Sequence, residues 1–319
     1  MSTFLTPLVI PTIPANATWS KNGTAIVGIK GKGSSTQQLK EPFGLFVDDD
    51  DDQILVIADW GNHRIMQWKK GDTDGQRVAG SNAKGNQLDQ LNRPDDVLID
   101  KETDSLIICD RWNHRVVRWS RRTGTTQGEI LIDNITCYGL AMDDQRYLYV
   151  SETEENKVRR YKLADKNETL VAVGSGTING LNELNEPHYL FVDRQQNVYV
   201  SDGLNHRVMK WTKGAKESFI VAGGQGQGNN LTQLNEPNGL FVDTLGTVYV
   251  ADSNNHRIMR WAQGEKQGTV IAGGNGQGRE AYQLNNPIGL SFDRQGNLYI
   301  VDDNNHRVQL FSLEKTRVN

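Results

Sequence analysis

Histidine, cysteine and closely spaced aspartate are the residue types in this 319-residue chain best suited to chemistry. Five of the six histidines, His63, His114, His206, His256 and His306, each sit between an asparagine and an arginine. A zinc site would need their ring nitrogens at roughly 2.0–2.1 Å from one ion, yet each belongs to its own copy of a recurring segment. Spread one per copy, they are read as turn residues. Asp59/Arg64, Asp110/Arg115 and Asp252/Arg257 recur at one spacing and suit a carboxylate and guanidinium holding that turn by charge-assisted hydrogen bonds. His188 alone lies outside the turn motif and is the best single candidate for chemistry. As a lone ring it suits a hydrogen-bonded lining residue.

Two further patterns invite a ligand. Gly223-Gly-Gln-Gly-Gln-Gly228 and Gly273-Gly-Asn-Gly-Gln-Gly278 have the glycines of a phosphate loop, which must open a helix whose N-terminus holds the phosphate. Here they lead through Gln-Leu-Asn to a proline and a short apolar run, so they read as connections. The run Asp48 to Asp52 is read as a solvated turn, with calcium as the alternative. Cys109 and Cys137 are too few for a disulfide framework; both are expected on one face, and spacing alone does not pair them.

The elements that must position these residues repeat six times. The fifth and sixth copies read Pro237-Asn-Gly-Leu-Phe-Val-Asp243 and Pro287-Ile-Gly-Leu-Ser-Phe-Asp293. They continue as Val248-Tyr-Val-Ala-Asp252 and Leu298-Tyr-Ile-Val-Asp302, then Asn255-His-Arg-Ile-Met-Arg-Trp261 and Asn305-His-Arg-Val-Gln-Leu-Phe311. The basic residue of the motif recurs about every 49 residues, within the roughly 40–50 of a propeller blade. Each copy divides into four short strands. A large aromatic ends the third: Trp68, Trp119, Tyr161, Trp211, Trp261 and Phe311, expected to pack between blades. The sixth copy lacks a fourth strand. Gly23 to Gly28 matches Gly268 to Gly273, so an N-terminal strand is expected to complete the last blade and leave only short, protected edges. The fold class is therefore all-β, a six-bladed propeller over residues 19–319. Residues 1–18, broken by Pro7, Pro11 and Pro14, are expected to form an extended, partly disordered leader and are not read as a signal peptide.

The pattern resembles the NHL repeat family, with Asn-His-Arg at 62–64, 113–115, 205–207, 255–257 and 305–307. The third copy departs most, carrying Glu152, Glu155, Asn156, Lys157 and Tyr161. The resemblance implies a propeller that binds protein, RNA or small ligands, with a few enzymatic relatives, and function sits in the site. Related peptide-amidating lyases place zinc-binding histidines just after the inner proline. Here that position reads Phe43, Asp95, Tyr138, His188, Asn238 and Ile288, and one histidine cannot make a three-ligand site. An oxygen-ligand calcium site from Asp95, Asn238 and Asp303 is the other metal reading.

These residues, where the copies disagree, share one rim with those following the second strand, including Trp60, Arg111 and Trp112. Exposed Trp, Tyr and Arg are types enriched in binding hot spots. Four connections from a fourth strand to the next inner proline take 14 residues and a fifth takes 13, whereas Asp133 to Cys137 takes 4. A notch is expected there, beside Arg111, Trp112, Tyr138 and Glu154. The leading expectation is thus a non-catalytic binding platform for a protein, peptide or other extended ligand, using Phe43, Trp60, Asp95, Arg111, Trp112, Tyr138, His188 and Asn238 and no cofactor. A metal-dependent lyase or lactonase-like hydrolase with zinc or calcium is the alternative. RNA binding ranks third, because a net charge of −4 and the acidic residues of the rim oppose it. No membrane span is expected. A monomer is expected, and five sequons tilt the reading toward an extracytoplasmic setting.

Overall fold

Short apolar runs bounded by Pro, Gly and Asp leave each repeat one way to bury its side chains, a four-stranded antiparallel blade packed on its neighbours. The computed structural model describes residues 10–49, 53–81, 83–163, 167–173, 183–214 and 218–314. Six sheets of four strands form the ring. Their inner strands are Leu45–Asp48, Asp96–Asp100, Cys137–Met142, Pro187–Val192, Pro237–Val242 and Pro287–Phe292, in blades 1 to 6. In the last sheet, Thr24–Val27 pairs antiparallel with Arg307–Phe311, with Thr24 opposite Leu310. The N-terminal strand closes the ring as the repeats require.

The core is divided into wedges between blades. Trp68 packs with Tyr299 and Val301 of blade 6, Trp119 with blade 1, Tyr161 with blade 2 and Trp211 with blade 3. Trp261 and Phe311 join the large cluster shared by blades 4, 5 and 6. A buried aromatic of this size removes about 150–250 Å² from water, on the order of 4–6 kcal/mol at about 25 cal/mol per Å².

Hairpins and turns are held by carboxylates. At the end of the fifth inner strand, the Asp243 carboxylate accepts the backbone N–H of Leu245 and Thr247, both at 2.9 Å, and the Tyr249 hydroxyl at 3.1 Å. At the opposite end, in all blades but the third, the second strand finishes in an aspartate followed by a 3-10 turn and a histidine in the left-handed region. In blade 5 the Asp252 carboxylate accepts Nε of Arg257 at 2.6 Å, Nδ2 of Asn255 at 2.8 Å and the N–H of Asn235 at 2.7 Å. The Arg257 guanidinium also donates to the carbonyls of Asn229, Asn230 and Gln233 in the preceding connection. The expected Asp–Arg pairing is present, and it reaches further than the turn.

The histidines join blade to blade. Nδ1 of His63, His206, His256 and His306 accepts the backbone N–H of Arg93, Glu236, Asn286 and Glu41 at 3.0–3.2 Å. Each donor precedes the inner proline of the next blade and has positive φ. In blade 3, Asn156 takes the histidine's place, its Oδ1 accepting the Glu186 N–H at 2.8 Å. An accepting Nδ1 must be unprotonated. Burial lowers the pKa of these four rings below the free value of about 6.5. A depressed folded pKa gives stability that is complete above about pH 6.5 and lost as pH falls through the folded value. We expect His206→Asn/His256→Asn, which keeps two acceptors and tolerates the left-handed turn, to lose less melting temperature between pH 7 and pH 5 than the wild type. Equal losses in both proteins would show that the rings do not titrate with folding.

Of the leader expected over residues 1–18, residues 1–9 lie outside the described residues. Residues 10–18 run against blades 5 and 6. Ile13 is 1% exposed, the Pro11 carbonyl accepts the Thr244 N–H at 3.3 Å, and Arg260 donates to the Ala17 carbonyl at 3.2 Å. Just beyond, the Trp19 indole donates to the Gly296 carbonyl at 2.9 Å. Among the described residues, no helix is long and apolar enough to cross a membrane.

Candidate functional site

The residues that follow the inner prolines meet at one end of the channel and are joined there by their side chains. The Tyr138 hydroxyl donates to Oδ1 of Asn238 at 2.9 Å, and its ring stacks on His188 with centroids 4.8 Å apart. His188 Nδ1 donates to the Pro237 carbonyl at 3.0 Å, and burial pushes its pKa down. The Tyr189 hydroxyl reaches across to the Asp95 carbonyl at 3.2 Å. Phe43 packs with Tyr138, Tyr189 and Ile288. The rim end of the channel is therefore filled by its own residues.

Asp95 anchors the outer part of this cluster. Fully buried, it accepts the Trp60 indole N–H at 3.0 Å and Nη1 of Arg111 at 3.1 Å. Burial raises its pKa to about 7 against the opposing pull of Arg111. Trp60 stacks flat on Phe43, with centroids 5.3 Å apart and planes 10° apart, and the Arg111 guanidinium lies 5.2 Å from the Tyr138 ring centre. The other face of Trp60 carries Arg93, its guanidinium carbon 4.2 Å from the ring centre and 4.6 Å from that of Trp112. Arg93 is thus held between two indoles, and Trp112 is 52% exposed.

Seven of the eight sequence-derived residues form this connected set, and Trp112 joins it through Arg93. Trp112 gives the largest exposed surface, with Phe43, Trp60 and Arg111 partly exposed and Asp95, Tyr138, His188 and Asn238 buried. Arg93 was missed. Its signal was available: the residue before the inner proline reads Glu41, Arg93, Glu186, Glu236 and Asn286, a single base in an otherwise acidic or neutral series. Arg93 makes no ion pair among the described residues.

Among the described residues, neither the zinc reading at His188 nor the calcium reading at Asp95, Asn238 and Asp303 finds a prepared site. The oxygens of Asp95 and Asn238 are engaged as above, and Asp303 accepts Nδ2 of Asn286 at 3.0 Å while its Oδ1 is buried without a partner. Burial raises the Asp303 pKa to about 7, so a proton meets part of that cost. Among the described residues, no three His, Cys, Asp or Glu side chains are placed to hold a metal ion. Asp50 to Asp52 lie outside the described residues.

The shortened connection lies beside Trp112. Elsewhere this connection supplies the carbonyls that cradle the turn arginine, as Asn86, Gln87 and Gln90 do for Arg115. Blade 3 has too little chain for such a cradle, and its turn carries Lys157, paired with Glu152 at 3.8 Å and Glu155 at 3.2 Å. A disulfide between Cys109 and Cys137 (Cα–Cα 5.8 Å) joins blades 2 and 3 at this place.

The NHL repeat matches residues 234–260 and 284–311. The chain is a six-bladed β-propeller that carries NHL repeats in its fifth and sixth blades. Solved structures share its fold at low identity. An auxiliary nutrient-binding protein from Bacteroides thetaiotaomicron superposes with a TM-score of 0.69 at 17% identity, covering 97% of this chain and 76% of that one. Virginiamycin B lyase from Staphylococcus aureus gives 0.57 at 11% identity, with 88% and 98% covered. A chain of a nidogen/laminin complex gives 0.56 at 16%, with 82% and 85% covered. At these identities the likeness to this NHL propeller is one of fold alone. No curated protein sequence matches the chain.

Proposed function

We propose that this NHL propeller is a non-catalytic recognition module that binds a protein or peptide at the rim beside blades 2 and 3. The observation that carries the reading is the Trp60–Arg93–Trp112 stack. Arginine and tryptophan dominate binding hot spots when their geometry is fixed in advance. Here Trp60 is fixed by Phe43 and Asp95, and Arg93 by the two rings. A guanidinium with no ion pair among the described residues suits a carboxylate on the ligand. The exposed face of Trp112 suits an apolar side chain next to it.

The connection of only 4 residues from Asp133 to Cys137 suits an extended segment lying across this rim. The disulfide supports an extracytoplasmic setting. Structural neighbours include both a binding protein and a lyase by name, so the choice rests on the rim. His188 donates to a main-chain carbonyl and is buried against Tyr138, which suits a wall residue.

The test is a pull-down from extracellular fluid with immobilised wild type, Trp112→Ala and Arg93→Glu. Partners held by the wild type are expected to fall at least about tenfold on either variant, the loss typical of one hot-spot residue. Retention of the same partners by both variants would place the binding surface elsewhere.

A further inference from the structure

The end of the channel opposite Trp112 carries a feature that the rim does not use. A cavity of about 290 Å³ opens there between the six inner strands. Its walls are mostly apolar, and Phe191, Phe241 and Phe292 contribute a chain of rings with centroids 5.0 and 5.1 Å apart. The inner end is set where the strands come closest. Four blades carry glycine at the second position after the inner proline or its equivalent. At Gly239 and Gly289 a Cβ would lie 2.3 Å from the Ile288 carbonyl oxygen and 2.6 Å from that of Phe43. The remaining two blades place Asp96 and Tyr189 at this position, and both line the cavity.

Asp96 is an unusual residue for such a place. It is 6% exposed. Its Oδ2 accepts the Leu140 N–H at 2.8 Å and its Oδ1 the N–H of Val97 at 2.9 Å. Two acceptor sites per oxygen leave room for a further donor. Burial raises its pKa to about 8, so near neutral pH it holds a proton that a bound cation would displace. The mouth favours the same sign. Five acidic side chains face three basic ones there, and the bases are already paired, Arg146 with Asp100 at 2.6 Å, Lys101 with Asp48 at 2.9 Å and Arg294 with Asp49 at 3.0 Å.

We infer that this cavity binds a small organic cation, an apolar body bearing one ammonium group, with Asp96 as its counter-ion. A dry cavity of about 150 Å³ holds benzene, so this one takes a body on the order of ten non-hydrogen atoms. The site is independent of the rim, and its test does not involve Trp112 or Arg93.

Calorimetry on the whole chain would compare 2-phenylethylamine with its near-isosteres 2-phenylethanol and 3-phenylpropionate. Above pH 8, where the Asp96 carboxylate is ionised, the amine is expected to bind at least about tenfold more tightly than either, the discrimination expected when a buried charge is paired rather than left unpaired. Asp96→Asn keeps a carbonyl acceptor for the strand and removes the charge. It is expected to abolish the preference for the amine and to leave the alcohol's affinity unchanged. Wild type alone gives a second reading if that variant fails to fold. Amine affinity should rise as pH approaches 8, with a proton released to the buffer on binding at pH 7. Equal affinities for the three compounds, no binding at millimolar concentration, or an Asp96→Asn protein that still prefers the amine would each overturn the inference.

Discussion

Arg257→Ala is expected to destabilise the propeller by about 3–5 kcal/mol, the cost of leaving a buried charge without its partner. The Asp252 carboxylate is fully buried and would keep only Asn235 and Asn255. The carbonyls of Asn229, Asn230 and Gln233 would lose their donor in the same change. The urea midpoint reads the effect. Arg257→Lys should recover only part of it, because one ammonium cannot span the carboxylate and three carbonyls. Blade 3 accepts Lys157 for the corresponding reason, since its short connection offers no carbonyl cradle. A loss under about 1 kcal/mol for Arg257→Ala, the range of an exposed pair, would show that the clasp is solvated and structurally minor.

Removing the disulfide is expected to cost a similar amount. Cys109 and Cys137 are 28 residues apart in sequence, and closing a loop of that size restricts the unfolded chain by about 3–4 kcal/mol. Cys109→Ala/Cys137→Ala is the suitable variant. Both sulfurs are buried, so alanine avoids leaving a hydroxyl unsatisfied. The first and fifth repeats carry Ala58 and Ala251 where Cys109 stands, and the other five repeats carry a proline where Cys137 stands. A cross-link thus takes over the join between blades where connecting chain is missing. An unchanged urea midpoint in the double variant would mean that blades 2 and 3 are held by their shared hydrophobic wedge alone.

The blades, their closure and the Asp–Arg turns were legible because six copies in register repeat the same local problem. The Asp243 carboxylate, for one, closes its hairpin within a single blade. The links between blades were harder to read. Nδ1 of His63 meets the Arg93 N–H 30 residues later, and the histidine looked like a turn residue alone. The rim set was found by seeking positions where the copies differ, and the structure does gather those residues. Their sequence did not show that Tyr138 would reach Asn238 across the channel and help close that end. Nor did it place the cavity at the other end, because its floor depends on glycine allowing close approach in four blades while Asp96 and Tyr189 fill the gap in two.

The central claim is that the rim at Trp60, Arg93 and Trp112 is the recognition surface. The most direct measurement is to select a random displayed peptide library on the wild type and measure the selected peptides' affinity for wild type and Arg93→Glu. Selected peptides are expected to carry Asp or Glu beside a large apolar residue and to bind the charge-reversed rim at least about tenfold more weakly. Selected peptides without an acidic residue, bound equally well by both proteins, would contradict it.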